Sequence, residues 1–211
     1  MTLLEKIAAH VESGDAGAVE LLIENALTEE VPPEDILYKG LVQGMNTVSE
    51  KFKNNEIFIP EVLVSAKAMN QGLAIIKPLL AAAKVQSKGK VVIGSIQGDL
   101  HDIGKNIVGM LLQGAGYEIV DLGADVPVHR FVDTAQKEKA DVVGMSSLLT
   151  TTMVNMQSVI DGLERTGIRR SVKVIIGGAP VTAAFAEQIG ADGYAPDASA
   201  AIDLVDGLLT G

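Results

Sequence analysis

Apolar positions recur at helical spacing from the first turn of the chain. Leu3, Leu4, Ile7 and Val11 fall on one face, with Thr2 placed to cap the helix. "SGD" at 13–15 interrupts the pattern, and Asp15 can cap a second helix carrying Val19, Leu22, Ile23, Ala26 and Leu27. "VPPED" at 31–35 is a helix start, because proline is tolerated in a first turn. The third helix then runs through Ile36, Leu37, Leu41, Met45, Val48 and Phe52 to a turn at "KNNE", 53–56. A fourth begins near Pro60 and shows Val62, Leu63, Ala66, Met69, Leu73 and Ile76. Short connections between amphipathic helices predict an antiparallel bundle over residues 1–84. The polar, aperiodic stretch that follows predicts a linker at 85–90.

From Val91 the period changes. "VVIGSI", "EIVDLG", "DVVGMSS" and "VKVIIGG" are short β-branched runs, each ending in small or polar residues. Between them lie helical patterns at 103–113, 128–139, 152–165 and 181–189. A short run "GYA" and a helix over 197–209 follow. Strands alternating with helices predict a parallel sheet with right-handed crossovers over 91–211. Ligands of such sheets bind beyond the carboxyl ends of the strands. That rule selects "QGDLHDIG", "GADVP", "SSLLTTT" and "GGAPV", four separate connections that converge on one edge.

Composition narrows the classes. The 211 residues are 47% hydrophobic but only 3% aromatic, so the cores are built from Ala, Val, Ile, Leu and Met. A formal net charge of −10 opposes binding to nucleic-acid phosphates. There is no cysteine, hence no disulfide and no thiolate metal site. The start of the chain lacks a signal-peptide pattern, and no apolar run is long enough to span a bilayer. A cytoplasmic protein that avoids membranes and nucleic acids is expected.

His101 is one of three histidines, set between acidic residues and flanked by glycines. The glycines Gly94, Gly98 and Gly104 do not have dinucleotide spacing, and no Walker phosphate loop or nucleophile elbow is present. His10 and His129 stand at no metal-motif spacing from His101. A loop histidine that only bonds its neighbours remains a reading of equal standing. One alternative uses every feature. In Asp99-x-His101-x-x-Gly104, a carboxylate bonded to one ring nitrogen fixes the tautomer and strengthens the other as a donor. A single imidazole so prepared suits a metal whose remaining ligands come from a macrocycle.

"DLHDIG" (99–104), "SSLL" (146–149) and "GG" (177–178) match the D-x-H-x-x-G, S-x-L and G-G pattern of cobalamin-binding domains. "FIPEVLVSAKAMNQGL" (58–73) is similar to the helical cap that precedes cobalamin in methionine synthase and in corrinoid proteins. Over essentially the whole chain, the sequence resembles the corrinoid methyl carriers of methylamine- and methyl-ether-using anaerobes. The resemblance implies a Rossmann-like (flavodoxin-like) α/β cobalamin-binding domain preceded by an all-α four-helix-bundle cap. It implies cobalamin bound base-off, with His101 as the lower cobalt ligand and Asp99 bonding its far nitrogen. Thr152 is the matching hydroxyl behind Asp99, with Thr150 and Thr151 as near alternatives. Ser146 and Leu148 line the groove for the nucleotide tail, and Gly177 and Gly178 leave room for it. Ile103 and Gly104 lie by the tail's entry, and Asp102 bonds a corrin amide. Phe58, Val62, Leu63 and Met69 are candidates for an apolar cover over the upper face of cobalt.

The same resemblance implies a carrier and not a complete enzyme. Cobalt in the Co(I) state takes a methyl group from a substrate-specific methyltransferase, giving methylcobalamin as the loaded form. A second methyltransferase passes the methyl to tetrahydrofolate or a thiol, and a reductive activase restores lost cofactor. The cap is expected to swing on the linker to admit each partner. Two other readings stay open: the cobalamin subunit of an adenosylcobalamin-dependent mutase, and a cobalamin-dependent sensor. The methyl donor is not written in the sequence; methylamines, betaine, methanol and aryl methyl ethers all fit.

Overall fold

The computed structural model describes residues 1–83 and 87–210. The expected 85–90 linker therefore lies partly outside the described residues. The chain divides into two compact units, Met1–Ser87 with Gly114–Gly116, and Lys88–Gln113 with Tyr117–Gly211.

The first unit is helical. α1 (Leu3–Ser13) starts in a capping box, in which the Thr2 hydroxyl accepts from Glu5 N–H and the Glu5 carboxylate accepts from Thr2 N–H. Gly14, in the left-handed region at φ 74°, ends it. α2 (Ala16–Thr28) is capped by the Asp15 carboxylate. The third periodic stretch is one helical path of three parts. α3 (Pro33–Asp35) leads through a π-helical segment at Ile36–Val42 into α4 (Gln43–Lys53). Five of the seven π-helical residues are buried, so this segment is apolar around most of its circumference, where periodicity predicts a one-sided helix. α5 (Ile59–Ala82) completes the unit. Ile7, Val11, Val19, Ile23, Leu41, Met45, Val62, Met69 and Ile76 are buried. Lys51 pairs with Glu12 at 2.6 Å, and Ser65 Oγ donates to the Glu12 carbonyl at 2.9 Å, joining α4 and α5 to α1.

The second unit is a five-stranded parallel sheet: β1 (Lys90–Ser95), β2 (Glu118–Asp121), β3 (Val142–Ser146), β4 (Lys173–Gly177) and β5 (Gly193–Ala195). The order β2-β1-β3-β4-β5 is the flavodoxin-like one. Its helices are α6 (Ile103–Gly114), α7 (Val128–Glu138), α8 (Thr150–Met153), α9 (Asn155–Arg165), α10 (Ala183–Ile189) and α11 (Ala198–Thr210). β1 and β3 are buried nearly throughout, as expected of strands covered on both faces. One core joins Val92, Val143, Met145, Val174 and Ile176 to Phe131, Val159, Ile160 and Leu163. The helix expected over 152–165 begins at Thr150 and is broken at Val154.

Register decides where ligands are met. Ser95, Ser146, Gly177 and Ala195 pair in a row across β1, β3, β4 and β5. Everything just beyond that row lies at one carboxyl edge. The order reverses between β1 and β3, so the loops after these two strands form the switch-point crevice.

Candidate ligand site at the sheet edge

The loop after β1 is held from several sides. Asp99 N–H donates to the Ile96 carbonyl, and Asp125 N–H to the Asp99 carbonyl. The Asp125 carboxylate accepts from Gly98 N–H at 2.7 Å, and Ser95 Oγ donates to the His101 carbonyl at 2.6 Å. Gly98 sits at φ 86°, a turn conformation that side chains rarely adopt.

Within this frame Asp99 is fully buried, while the His101 side chain is 55% exposed. Asp99 Oδ1 lies 2.8 Å from His101 Nδ1 and also accepts His101 N–H at 3.0 Å. Asp99 Oδ2 accepts Leu148 N–H at 2.6 Å and faces the hydroxyls of Ser147 at 3.1 Å and Thr152 at 3.2 Å. Burial pushes the Asp99 carboxyl up, but these donors outweigh it. The backbone N–H groups of Leu148 and His101 come first, then the His101 and Ser147 side chains, and they hold it well below the usual carboxylate range. An ionised Asp99 places the imidazole proton on Nδ1 and leaves the Nε2 lone pair for a ligand.

The other sequence-predicted residues distribute as follows. Ser146 is half-buried, and its carbonyl accepts Ile96 N–H. Leu148 reaches the site through its backbone N–H, with its side chain exposed. Thr152 faces Asp99, whereas Thr150 is exposed on the first turn of α8. Asp102 is half-buried and its carbonyl accepts Asn106 N–H at the start of α6. Ile103 is exposed, and a Cβ on Gly104 would meet open space. Gly178, at φ 122°, has no room for a Cβ because the Ser147 backbone lies against it, and a Cβ on Gly177 would come 2.9 Å from the Ala195 carbonyl. Both glycines are therefore required by chain packing, before any ligand is considered. In the helical unit, Val62 and Met69 are buried, whereas Phe58 is 65% and Leu63 42% exposed.

Sequence reasoning passed over Ser147 and Ser95. The pair "SS" at 146–147 offered two hydroxyls to one motif position, and only the pleat at the end of β3 decides which one faces Asp99. It also passed over Lys105, which is buried in α6 with its ammonium on the Asp121 carboxylate at the end of β2.

The donor set suits a cofactor that brings its own equatorial ligands. Among the described residues no group of three or more His, Asp or Glu side chains could hold a metal ion. A single prepared imidazole stands beside exposed Leu100, Ile103, Leu148, Leu149 and Val154, an apolar collar fitting a large, flat, partly hydrophobic ring.

Comparison with known proteins gives the same class of ligand. A family described as "B12 binding domain" matches residues 89–203, and a second of the same description matches 3–77. A corrinoid protein of Desulfitobacterium hafniense is 41% identical over 99% of this chain and 98% of its own length. Dimethylamine corrinoid protein 1 of Methanosarcina acetivorans is 44% identical over 95% and 94%. Among solved structures, the methanol:cobalamin methyltransferase complex of Methanosarcina barkeri superposes with a TM-score of 0.91 at 35% identity, covering 99% of this chain and 80% of that one. A cobalamin-binding protein of D. hafniense does so with a TM-score of 0.78 at 29% identity, covering 99% and 98%. With both of its units matched and relatives of above 40% identity along nearly its whole length, the chain belongs to the B12-binding corrinoid proteins.

Proposed function

We propose that His101 Nε2 is the lower axial ligand of cobalt in a base-off, His-on corrinoid complex, and that this chain is a methyl carrier serving two methyltransferases. The observation that carries the ligand assignment is the Asp99–His101 bond, which commits Nδ1 and leaves Nε2 available. Membership in the corrinoid proteins, with methylamine and methanol systems among the relatives, supports the carrier role. Bound corrinoid supplies a cobalt that can accept a methyl group from one partner and yield it to the next.

The residues of this chain do the rest. Asp99 orients the imidazole and fixes its tautomer through Nδ1. Ser147 and Thr152 hold the far carboxylate oxygen. The apolar collar keeps water from the lower face. Ser146 and the Leu148 side chain line the groove for the nucleotide tail, and the tail enters past Ile103 and Gly104. Asp102 bonds a corrin amide. Phe58 and Leu63, the exposed pair among the four cover candidates, are assigned to the upper face. A reductive activase returns oxidised cofactor to service. The methyl donor is a methylamine or another methylated small molecule.

Reconstitution with hydroxocobalamin tests the assignment. The expected product shows a base-off, His-on absorption spectrum, and His101→Ala abolishes it. An unchanged spectrum and affinity in His101→Ala would falsify the ligand assignment. Methyl transfer from a candidate donor in the presence of its methyltransferase tests the carrier role, and turnover only with adenosylcobalamin would replace it with the mutase reading.

A further inference from the structure

We propose that Ser147 is a second hydroxyl donor to Asp99, interchangeable with Thr152, so that the carboxylate behind His101 keeps its outer hydrogen bond when either hydroxyl is absent. This rests on the reading of His101 as the cobalt ligand. Both residues act through Asp99 and are positioning residues.

Protons and lone pairs around Asp99 can be counted. An ionised carboxylate offers about four acceptor positions. His101 fills two at Oδ1, with its backbone N–H and with Nδ1–H. Leu148 N–H fills a third at Oδ2. One position remains, and two hydroxyls reach it, Ser147 Oγ at 3.1 Å and Thr152 Oγ1 at 3.2 Å. Each carries a single proton. Both also lie 3.1 Å from the Leu149 carbonyl, but that oxygen already accepts Met153 N–H at 3.0 Å and Thr152 N–H at 3.2 Å. The two oxygens are 2.8 Å apart, so either can donate to the other. Two arrangements therefore satisfy both hydroxyl protons: Ser147 on Asp99 with Thr152 donating to Ser147, or the reverse.

The position of Ser147 does not depend on these bonds. Its N–H donates to the Gly177 carbonyl at 3.1 Å, and its backbone packs on Gly178, which leaves no space for a side chain. Thr152 is fixed separately by α8, where its N–H donates to the Leu149 carbonyl. Removing one hydroxyl leaves the other in place to take the vacant position.

The test uses the full chain reconstituted with hydroxocobalamin and reduced to Co(II), with histidine labelled by heavy nitrogen. The electron paramagnetic resonance spectrum then gives the His-on share, because labelling turns the axial-nitrogen triplet into a doublet. Ser147→Ala and Thr152→Val are each expected to keep the His-on to His-off ratio within about twofold of wild type, and the double variant to lose about tenfold. Ser147→Ala combined with Thr152→Ser is expected to return the wild-type ratio. A loss in Thr152→Val alone equal to that of the double overturns the proposal, as does a double equal to the product of two comparable single losses. A double variant that keeps the wild-type ratio also overturns it, since neither hydroxyl then acts on Asp99; should that double fail to fold, Ser147→Ala with Thr152→Ala replaces it. A histidine splitting that persists in His101→Ala would instead overturn the ligand assignment, so the two failures are distinct.

Discussion

Ser95 Oγ donates to the backbone carbonyl of His101 at 2.6 Å, tying the last residue of β1 to the loop that follows it. Ser95 is buried, so its hydroxyl has no ready access to water in place of this bond. Ser95→Ala is expected to destabilise the apoprotein by about 1 kcal/mol, the usual net worth of one such bond. Urea denaturation measures this. The same change is expected to weaken corrinoid binding, because the loop carrying His101 gains freedom that binding must then remove.

Gly178 and Gly104 predict opposite outcomes for the same substitution. Gly178→Ala puts a methyl group into the Ser147 backbone at a positive φ. It is expected to cost upwards of about 2 kcal/mol, combining strain with overpacking. Gly104→Ala meets nothing within 4 Å and lies in the first turn of α6. It is expected to leave the melting temperature of the apoprotein unchanged or slightly raised, while corrinoid affinity falls if the nucleotide tail passes there. Thermal melting and cofactor titration of the two variants separate a packing glycine from a ligand-access glycine.

Gly44 makes a parallel case in the helical unit. A Cβ there would approach the Ala8 carbonyl at 2.6 Å and Val11 at 2.7 Å. Gly44→Ala is expected to force α4 away from α1, at a cost of about 1–3 kcal/mol. Melting followed by circular dichroism, with Gly17→Ala on the open face of α2 as the control, checks it.

Tyr117 supplies a pH dependence. Burial first, then its hydrogen bond to Asp206 at 2.5 Å and the nearby negative charge, push the phenol well above its ordinary value. The folded chain then keeps a proton that the unfolded chain releases above about pH 10. Its contribution to stability is full below that pH and is lost as pH rises through the raised value. Phenolate absorbance of wild type and Tyr117→Phe is expected to differ only at the alkaline end. Urea denaturation is expected to show a shallower alkaline decline in the variant.

Much of the second unit was legible because four of its five strands are β-branched runs ending in small or polar residues, and its longer helices carry their own apolar stripes. The start of α1 was legible in Thr2 and that of α2 in Asp15, since capping is local chemistry. The π-helical stretch at Ile36–Val42 was not, because its apolar positions also satisfy an ordinary helical period. His101 and Asp99 stood out through their spacing, but a plain loop histidine was an equal reading until the S-x-L and G-G matches joined them. Ser147 did not, since its role depends on the pleat at the end of β3 and on a bare backbone at Gly178, two facts from different strands. The buried state of Val62 and Met69 was equally hidden: periodicity marks an apolar face but not which of its members reach solvent.

The collar of Leu100, Ile103, Leu148, Leu149 and Val154 has a consequence for the chain before it meets its cofactor. An apoprotein presenting these side chains to water carries a surface prone to self-association, despite its net charge of −10. Cofactor bound at the proposed site would cover them and lower that tendency, so apoprotein and loaded protein are expected to differ in light scattering at equal concentration.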